Sequence, residues 1–233
     1  SSTIAASLAT FTSPANIKTF TVGFTERSFD ESPHARMVSK HLGTEHFERL
    51  LDIDLARDLM PDVLSRMDEP LGDASILPTH LLSSFTREHV TVALSGDGGD
   101  ELFAGYDPFV ALGLARVYEK IMPKMSHKGV RRLVDLMPIS EGNMGLDFKL
   151  RRTLMGLSYG RSTWVPVWMA PMDPADMKDL FHAPLNFDEL YGDAISLWER
   201  DPTKSVVDRA LEFFTQFYLQ AVSYTHLTLP TKA

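Results

Sequence analysis

The feature that most constrains this chain is the alternation of strand-like and helical runs in its first hundred residues. Ile17 to Phe24 is β-branched and aromatic and predicts a strand. Pro33 opens a helix that runs to Leu42, with Ala35, Val38 and Leu42 on one face and Gly43 as its stop. Glu45 to Leu51 predicts a second strand. Helices are expected over about Leu55 to Arg66 and Pro78 to Arg87. His89 to Leu94 is an apolar run of strand length, expected to lie buried in a parallel sheet. Helices and strands in this order imply an α/β domain with a parallel sheet. From Val110 onward the strand signals fade and the chain is expected to be mainly helical. Trp164, Trp168 and Trp198 are expected to pack that part, with most of the 11 Met residues as core filling.

Composition narrows the class. With 233 residues, 44% hydrophobic and 23% charged, the chain is long enough for a substantial core and is not a disordered polymer. Its formal net charge of -8 argues against a broad nucleic-acid surface. No apolar run approaches the ~18 residues of a membrane span. Cys 0 excludes a disulfide frame, a thiolate zinc site and a cysteine nucleophile, and a reduced, cytoplasmic setting is expected. His34, His41 and His46 are spread over two predicted elements and read as surface or satisfied histidines. His80 lies near the loop that precedes the glycine cluster. Lys149-Leu150-Arg151-Arg152 reads as a solvated basic helix turn.

The segment with most chemical content is Leu94-Ser95-Gly96-Asp97-Gly98-Gly99-Asp100-Glu101-Leu102-Phe103-Ala104-Gly105-Tyr106. An apolar run feeds a glycine-rich loop, which feeds a helix. Ligands of open α/β sheets bind beyond the carboxyl ends of strands, where such a loop lies. Asp97 and Asp100 would repel a bare phosphate, so a phosphate ligand there calls for magnesium, which takes carboxylate oxygens. Calcium-binding repeat loops have a similar pattern but come in tandem, and this one occurs once. A structural turn with capping aspartates is the other reading of the pattern alone.

Ser95 to Tyr106 closely resembles the signature of the glutamine-dependent asparagine synthetases, in their synthetase domain. Thr21-Val22-Gly23-Phe24, Phe29-Asp30-Glu31-Ser32-Pro33, Leu42-Gly43-Thr44-Glu45-His46, Asp68-Glu69-Pro70 and Asp73-Ala74-Ser75-Ile76-Leu77-Pro78 resemble further family segments in the family's order. The resemblance implies an α/β fold: a partial parallel-sheet adenine-nucleotide domain of the ATP-pyrophosphatase, HUP-like type, with a mainly helical C-terminal part. The expected organisation is an α/β layer over residues 1–109, a helical remainder over 110–220, and a tail over 221–233. Ser1 and Ser2 would close the family's pyrophosphate loop, whose Ser-Gly-Gly-x-Asp portion precedes them in the family and is absent here. The Thr-rich tail resembles a translated sequencing adapter, and residues from about 221 onward are set aside in reading the fold.

The same resemblance implies residue roles. ATP would be held by Ser1 and Ser2 at a helix N-terminus and by main chain around Val22, Gly23, Ser95 and Gly96. Asp100 aligns with a magnesium-binding aspartate. Asp97 aligns with a usually acidic position that handles protons or orients the intermediate. Asp73 and Ser75 would line the substrate pocket. The implied activity is an ATP-dependent carbon–nitrogen ligase that uses ATP and Mg2+ to turn the side-chain carboxylate of aspartate into β-aspartyl-AMP. Ammonia, supplied by an N-terminal glutaminase domain not present in this chain, then yields asparagine. A homodimer is expected of such an enzyme, with no nucleic-acid or membrane partner, and the chain by itself is expected to have little synthetase activity. Two alternatives stay open: a related amide ligase, β-lactam synthetase-like or peptide-cyclising, and a non-catalytic nucleotide-binding relative. The acid at Asp97 favours the asparagine-synthetase side, since the lactam-forming relatives carry tyrosine there.

Overall fold

The computed structural model describes residues 2–12, 17–67, 75–140, 142–177, 179–181 and 186–224, with backbone only over 220–224. Asp68-Glu69-Pro70, Asp73, Ser1 and the tail beyond Tyr224 lie outside the described residues. The fold is α/β with a small parallel sheet and mostly helical content. It divides into two units, with the division between Asp97 and Gly98, inside the glycine loop.

The first unit contains α1 (Ser2–Thr12), β1 (Lys18–Phe24), α2 (Ser32–Leu42), β2 (Glu45–Leu51), α3 (Ile53–Ser65) and α4 (Ile76–Arg87). β1 and β2 pair in parallel from Lys18 opposite Glu45 to Phe24 opposite Leu51. A parallel pair needs a crossover, and α2 supplies it. Pro33 sits in the first turn of α2, where its missing N–H costs nothing. Gly43 ends the helix at φ 67° and donates its N–H to the Ser39 carbonyl, a left-handed cap that glycine adopts without strain. Hydroxyls then tie this turn to the sheet. Thr44 Oγ1 lies 2.7 Å from Ser39 Oγ and 3.0 Å from Thr19 Oγ1. Rings lock α4 onto the strands: Phe20 stacks on Phe47 at 5.3 Å, and Phe85 meets Phe20 edge-on at 5.7 Å.

Residues 89–94 depart from expectation. They form no strand, and Val92 and Leu94 are 76% and 80% exposed. An apolar run becomes a strand only where a neighbouring strand takes up its N–H and C=O groups. Among the described residues the sheet is β1 and β2 alone, and neither free edge pairs with residues 89–94.

The second unit is helical: α5 (Gly99–Phe103), α6 (Asp107–Ile121), α7 (Lys124–Asp135), α8 (Leu146–Gly156), a short 3-10 turn (Arg161–Thr163), α9 (Trp164–Met169), α10 (Pro174–Met177), α11 (Phe187–Glu199) and α12 (Val206–Phe213). Phe109, Leu112 and Ala115 recur every third residue along α6 and form one wall of the core. Against them pack Trp164, Val165 and Trp168 of α9, Trp198 of α11, Ala210 of α12, and Phe214. The expected packing role of the three tryptophans holds. Two indoles also satisfy their N–H groups inside this core, Trp164 on the Tyr159 carbonyl at 3.3 Å and Trp168 on the Thr153 carbonyl at 3.2 Å. At Gly156 α8 lies close against α9: a Cβ there would stand 2.2 Å from Trp168 Nε1. After α12 the backbone continues in wider π-type turns from Phe214 to Tyr224. Helical backbone thus extends through 221–224, into the segment set aside as a tail in the sequence; a π-type turn does not follow the 3.6-residue spacing used to read helices.

Candidate functional site

The expected site residues in the first unit occupy the end of β1, the start of α1 and the loop at 95–97. Ser2 is the first residue of α1 and is exposed. Val22 and Gly23 lie near the C-terminal end of β1, opposite Arg49 and Leu50 of β2. The other edge of β1 carries no strand among the described residues, so main-chain groups on that side are not consumed by pairing.

Gly23 is buried because the chain folds back over it. A Cβ there would sit 3.2 Å from Asp30 Oδ1 and from both Cβ and Oγ of Ser32. Asp30 builds this turn. Its Oδ1 accepts from the main-chain N–H groups of Phe24 (3.2 Å) and Ser32 (3.1 Å), and its Oδ2 accepts from Ser32 Oγ at 3.2 Å. The Ser32 N–H, with the other two donors and Arg36, holds the Asp30 carboxyl below its ordinary value against the opposing effect of burial. The sequence reading quoted Asp30 within a matching motif and assigned it no role. The signal was local: an Asp two residues before a Ser, with Pro next, is the pattern of a side-chain-closed turn that opens a helix.

In the loop, Ser95 Oγ donates to Asp97 Oδ2 at 2.7 Å. Both residues are exposed, and Gly96 between them is half-buried. Ser75 precedes α4, and its carbonyl accepts from the Thr79 N–H at 3.0 Å. Asp73, its expected companion, lies outside the described residues. His80 faces Asp62, with Nε2 3.6 Å from Oδ2, and His46 shares Nδ1 with Thr19 Oγ1 at 3.0 Å.

The second unit takes up the loop at Gly98, whose φ of 87° needs glycine. α5 follows, with Asp100 and Glu101 in its first turn, where acidic side chains suit the positive helix end. The two acids do different things. Glu101 is 5% exposed and accepts from Tyr106 Oη at 2.5 Å. Burial, reinforced by Glu101, pushes the Tyr106 phenol well above its ordinary value, so it stays a donor. Asp100 is exposed, and its carboxylate accepts no hydrogen bond and forms no ion pair among the described residues. Lys149, further along, is exposed and pairs with Asp107 at 2.8 Å. The expected solvated basic turn is not what forms, however: Arg151 and Arg152 are half-buried, Arg151 donating to the Met137 carbonyl at 2.5 Å and Arg152 lying over the Phe148 ring.

Among the described residues no group of three or more His, Cys, Asp or Glu is placed to hold a metal ion, and no helix is long and apolar enough to cross a membrane. A magnesium ion carried on phosphates needs less, since one or two carboxylates suffice alongside phosphate oxygens and water. Asp100, with both oxygens uncommitted, fits that requirement.

Comparison with known proteins converges on one family. Residues 1–223 match the family described as Asparagine synthase. The chain is 32% identical over 130 residues to asparagine synthetase [glutamine-hydrolyzing] 1 of Bacillus subtilis, covering 56% of this chain and 20% of that protein. It is 39% identical over 106 residues to a putative asparagine synthetase [glutamine-hydrolyzing] 2 of Methanocaldococcus jannaschii, covering 46% of this chain and 20% of the relative. Amidase chyE of Penicillium rubens is 34% identical over 100 residues, covering 42% of this chain and 15% of that protein. The matched segment thus spans about a fifth or less of these relatives' length. No solved structure matches significantly. With the family matched from residue 1 to residue 223, across both units, the chain belongs to the asparagine synthase family.

Proposed function

We propose that this chain supplies the synthetase segment of a glutamine-dependent asparagine synthetase. In that reading the aspartate side-chain carboxylate attacks the α-phosphorus of ATP. β-Aspartyl-AMP forms and pyrophosphate leaves. Ammonia derived from glutamine then attacks the acyl carbon, and asparagine and AMP are released. What carries the reading is the family match over residues 1–223, which spans the whole Ser95 to Tyr106 signature.

Several local features support the residue roles. The first-turn N–H groups of α1, beginning at Ser2, lack intrahelical acceptors and suit a phosphate, and Ser1, which precedes them in the sequence, would join them there. Main chain of Val22 and Gly23, and of Ser95 and Gly96, is suited to the adenine and ribose. The Ser95 hydroxyl holds one oxygen of Asp97 and leaves the other open to a proton or an ammonium group. Asp100 would hold Mg2+, which when bound offsets charge on the departing pyrophosphate. Asp73 and Ser75 would meet the substrate. Amidase chyE, among the similar proteins, makes a different carboxylate the reading to test beside aspartate.

The test is aspartate-dependent exchange of labelled pyrophosphate into ATP. It is run on the chain and on a chimera carrying residues 1–224 in place of the matching segment of the Bacillus subtilis relative. Exchange that requires aspartate supports the proposal. Nucleotide binding without exchange by the chimera would sink it, and exchange with another carboxylate alone would reassign the substrate.

A further inference from the structure

We propose that Gly105 is a positioning residue whose missing side chain makes room for the Asp100 carboxylate. A glycine just beyond a short helix is ordinarily explained by a left-handed backbone. That explanation fails here. The left-handed residue closing α5 is Ala104, at φ 58°, and Gly105 is not among the residues of positive φ. Its own torsion does not call for glycine.

Space does. A Cβ at position 105 would stand 2.1 Å from Asp100 Oδ1, 2.9 Å from its Cγ and 3.1 Å from its Cα. The Gly105 N–H donates to the Asp100 carbonyl at 3.0 Å, so the two main chains are clamped together. The flanking residues are pinned as well. Glu101 is buried against the Tyr106 hydroxyl, and the Tyr106 ring packs on Phe214 at 5.0 Å and on Tyr218 at 5.8 Å. The two shortest contacts of a methyl group at 105 are therefore relieved by rotation of the Asp100 side chain, the one part of the turn with no partner to hold it, while the 3.1 Å approach to Asp100 Cα asks the main chain to give by only a few tenths of an ångström. Gly98 is a different case, because its φ of 87° requires glycine whatever the space.

The inference rests on the reading of Asp100 as the magnesium-side carboxylate, but its test needs no turnover. Carboxyl-carbon NMR of the labelled chain follows the Asp100 Cγ signal in the parent, in Gly105→Ala and in Gly113→Ala. A Cβ at Gly113 meets nothing within 4 Å, so that variant is the control. The expected result is a displaced Asp100 signal in Gly105→Ala alone, with a melting temperature at most modestly below the parent's. Manganese, used as the probe ion, should broaden that signal at roughly tenfold higher concentration in Gly105→Ala, the scale seen when groups supporting a metal ligand are altered.

An unmoved Asp100 signal in Gly105→Ala overturns the inference. If Gly105→Ala lowers stability, the same substitution in an Asp100→Ala chain should recover it, because the clashing carboxylate is gone. An undiminished loss there places the clash on the backbone and also overturns the inference. If manganese leaves Asp100 untouched in the parent chain, the metal role falls, and Gly105 is judged on the carbon shift.

Discussion

Asp30 and Asp100 sit in comparable places, each in a turn that enters a helix, and they are used in opposite ways. Asp30 spends its carboxylate on its own chain, accepting from two main-chain N–H groups and one hydroxyl. Asp100 stands at the start of α5 with neither oxygen engaged among the described residues. The difference separates an acid that builds a turn from an acid whose carboxylate no described residue engages. Residue type and position near a helix start do not distinguish them; the donors around each do.

The sharpest way to break this comparison is Asp100→Asn in the chimera. Under the proposed role of Asp100, losing its charge should cut exchange by about a hundredfold or more, on the scale of removing one preorganised electrostatic group. Thermal unfolding should change little, because the carboxylate accepts no hydrogen bond among the described residues and keeps only a weak attraction to the start of α5. A large drop in melting temperature would make Asp100 structural after all.

Tyr106→Phe comes next. It strips the hydroxyl from buried Glu101, and an orphaned buried acceptor costs about 1–3 kcal/mol, read by urea unfolding. An unchanged midpoint would mean that Glu101 finds another donor or water. Asp30→Ala should produce the mirror image of Asp100→Asn: a lower melting temperature, with any loss of exchange following from the loosened turn above Gly23. An exchange defect at full stability would give Asp30 a ligand role and erase the contrast.

The smallest effect is in the pH dependence of stability. Asp30 and Asp147 both lie below their ordinary value of 3.8, the first through the Ser32 N–H and the second through the Ser140 hydroxyl. The unfolded chain then binds more protons, so their contribution is complete above 3.8 and is lost as pH falls through the folded values. His127 lies below 6.5 because burial, and next Arg131, disfavour its charge, and its ring nitrogens meet Tyr118 Oη and Ser158 Oγ at 3.0 Å each. Its contribution likewise is complete above 6.5 and fades below it. Urea midpoints should therefore decline gently just under pH 6.5 and more steeply below 3.8. Replacing His127 with Gln should flatten part of the upper decline and leave the part contributed by His46, which burial also holds below 6.5; an upper decline left unchanged would assign it away from His127.

How much was legible in the sequence follows from the range of the forces involved. The βαβ unit was readable because its signals are local: β-branched runs for the strands, Pro33 at the helix start and Gly43 at its end. The packing role of the tryptophans was readable from their bulk and apolarity. The fate of Val92 and Leu94 was not, since strand formation depends on a partner edge that no property of residues 89–94 specifies. The turn-closing role of Asp30 was within reach of local pattern reading. The burial of Glu101 beside exposed Asp100 was not, because it is set by Tyr106 and by the aromatic residues at 214 and 218.

The sequence by itself determined the α/β class, the family and the segment Ser95 to Tyr106 as the place to look, because motif spacing and residue chemistry are written along the chain. Only the tertiary structure decided which of its acids is used up and which is left open, and why Gly105 carries no side chain. Those outcomes depend on distances between groups that the fold brings together, and a hydrogen bond or a steric clash exists only at such distances.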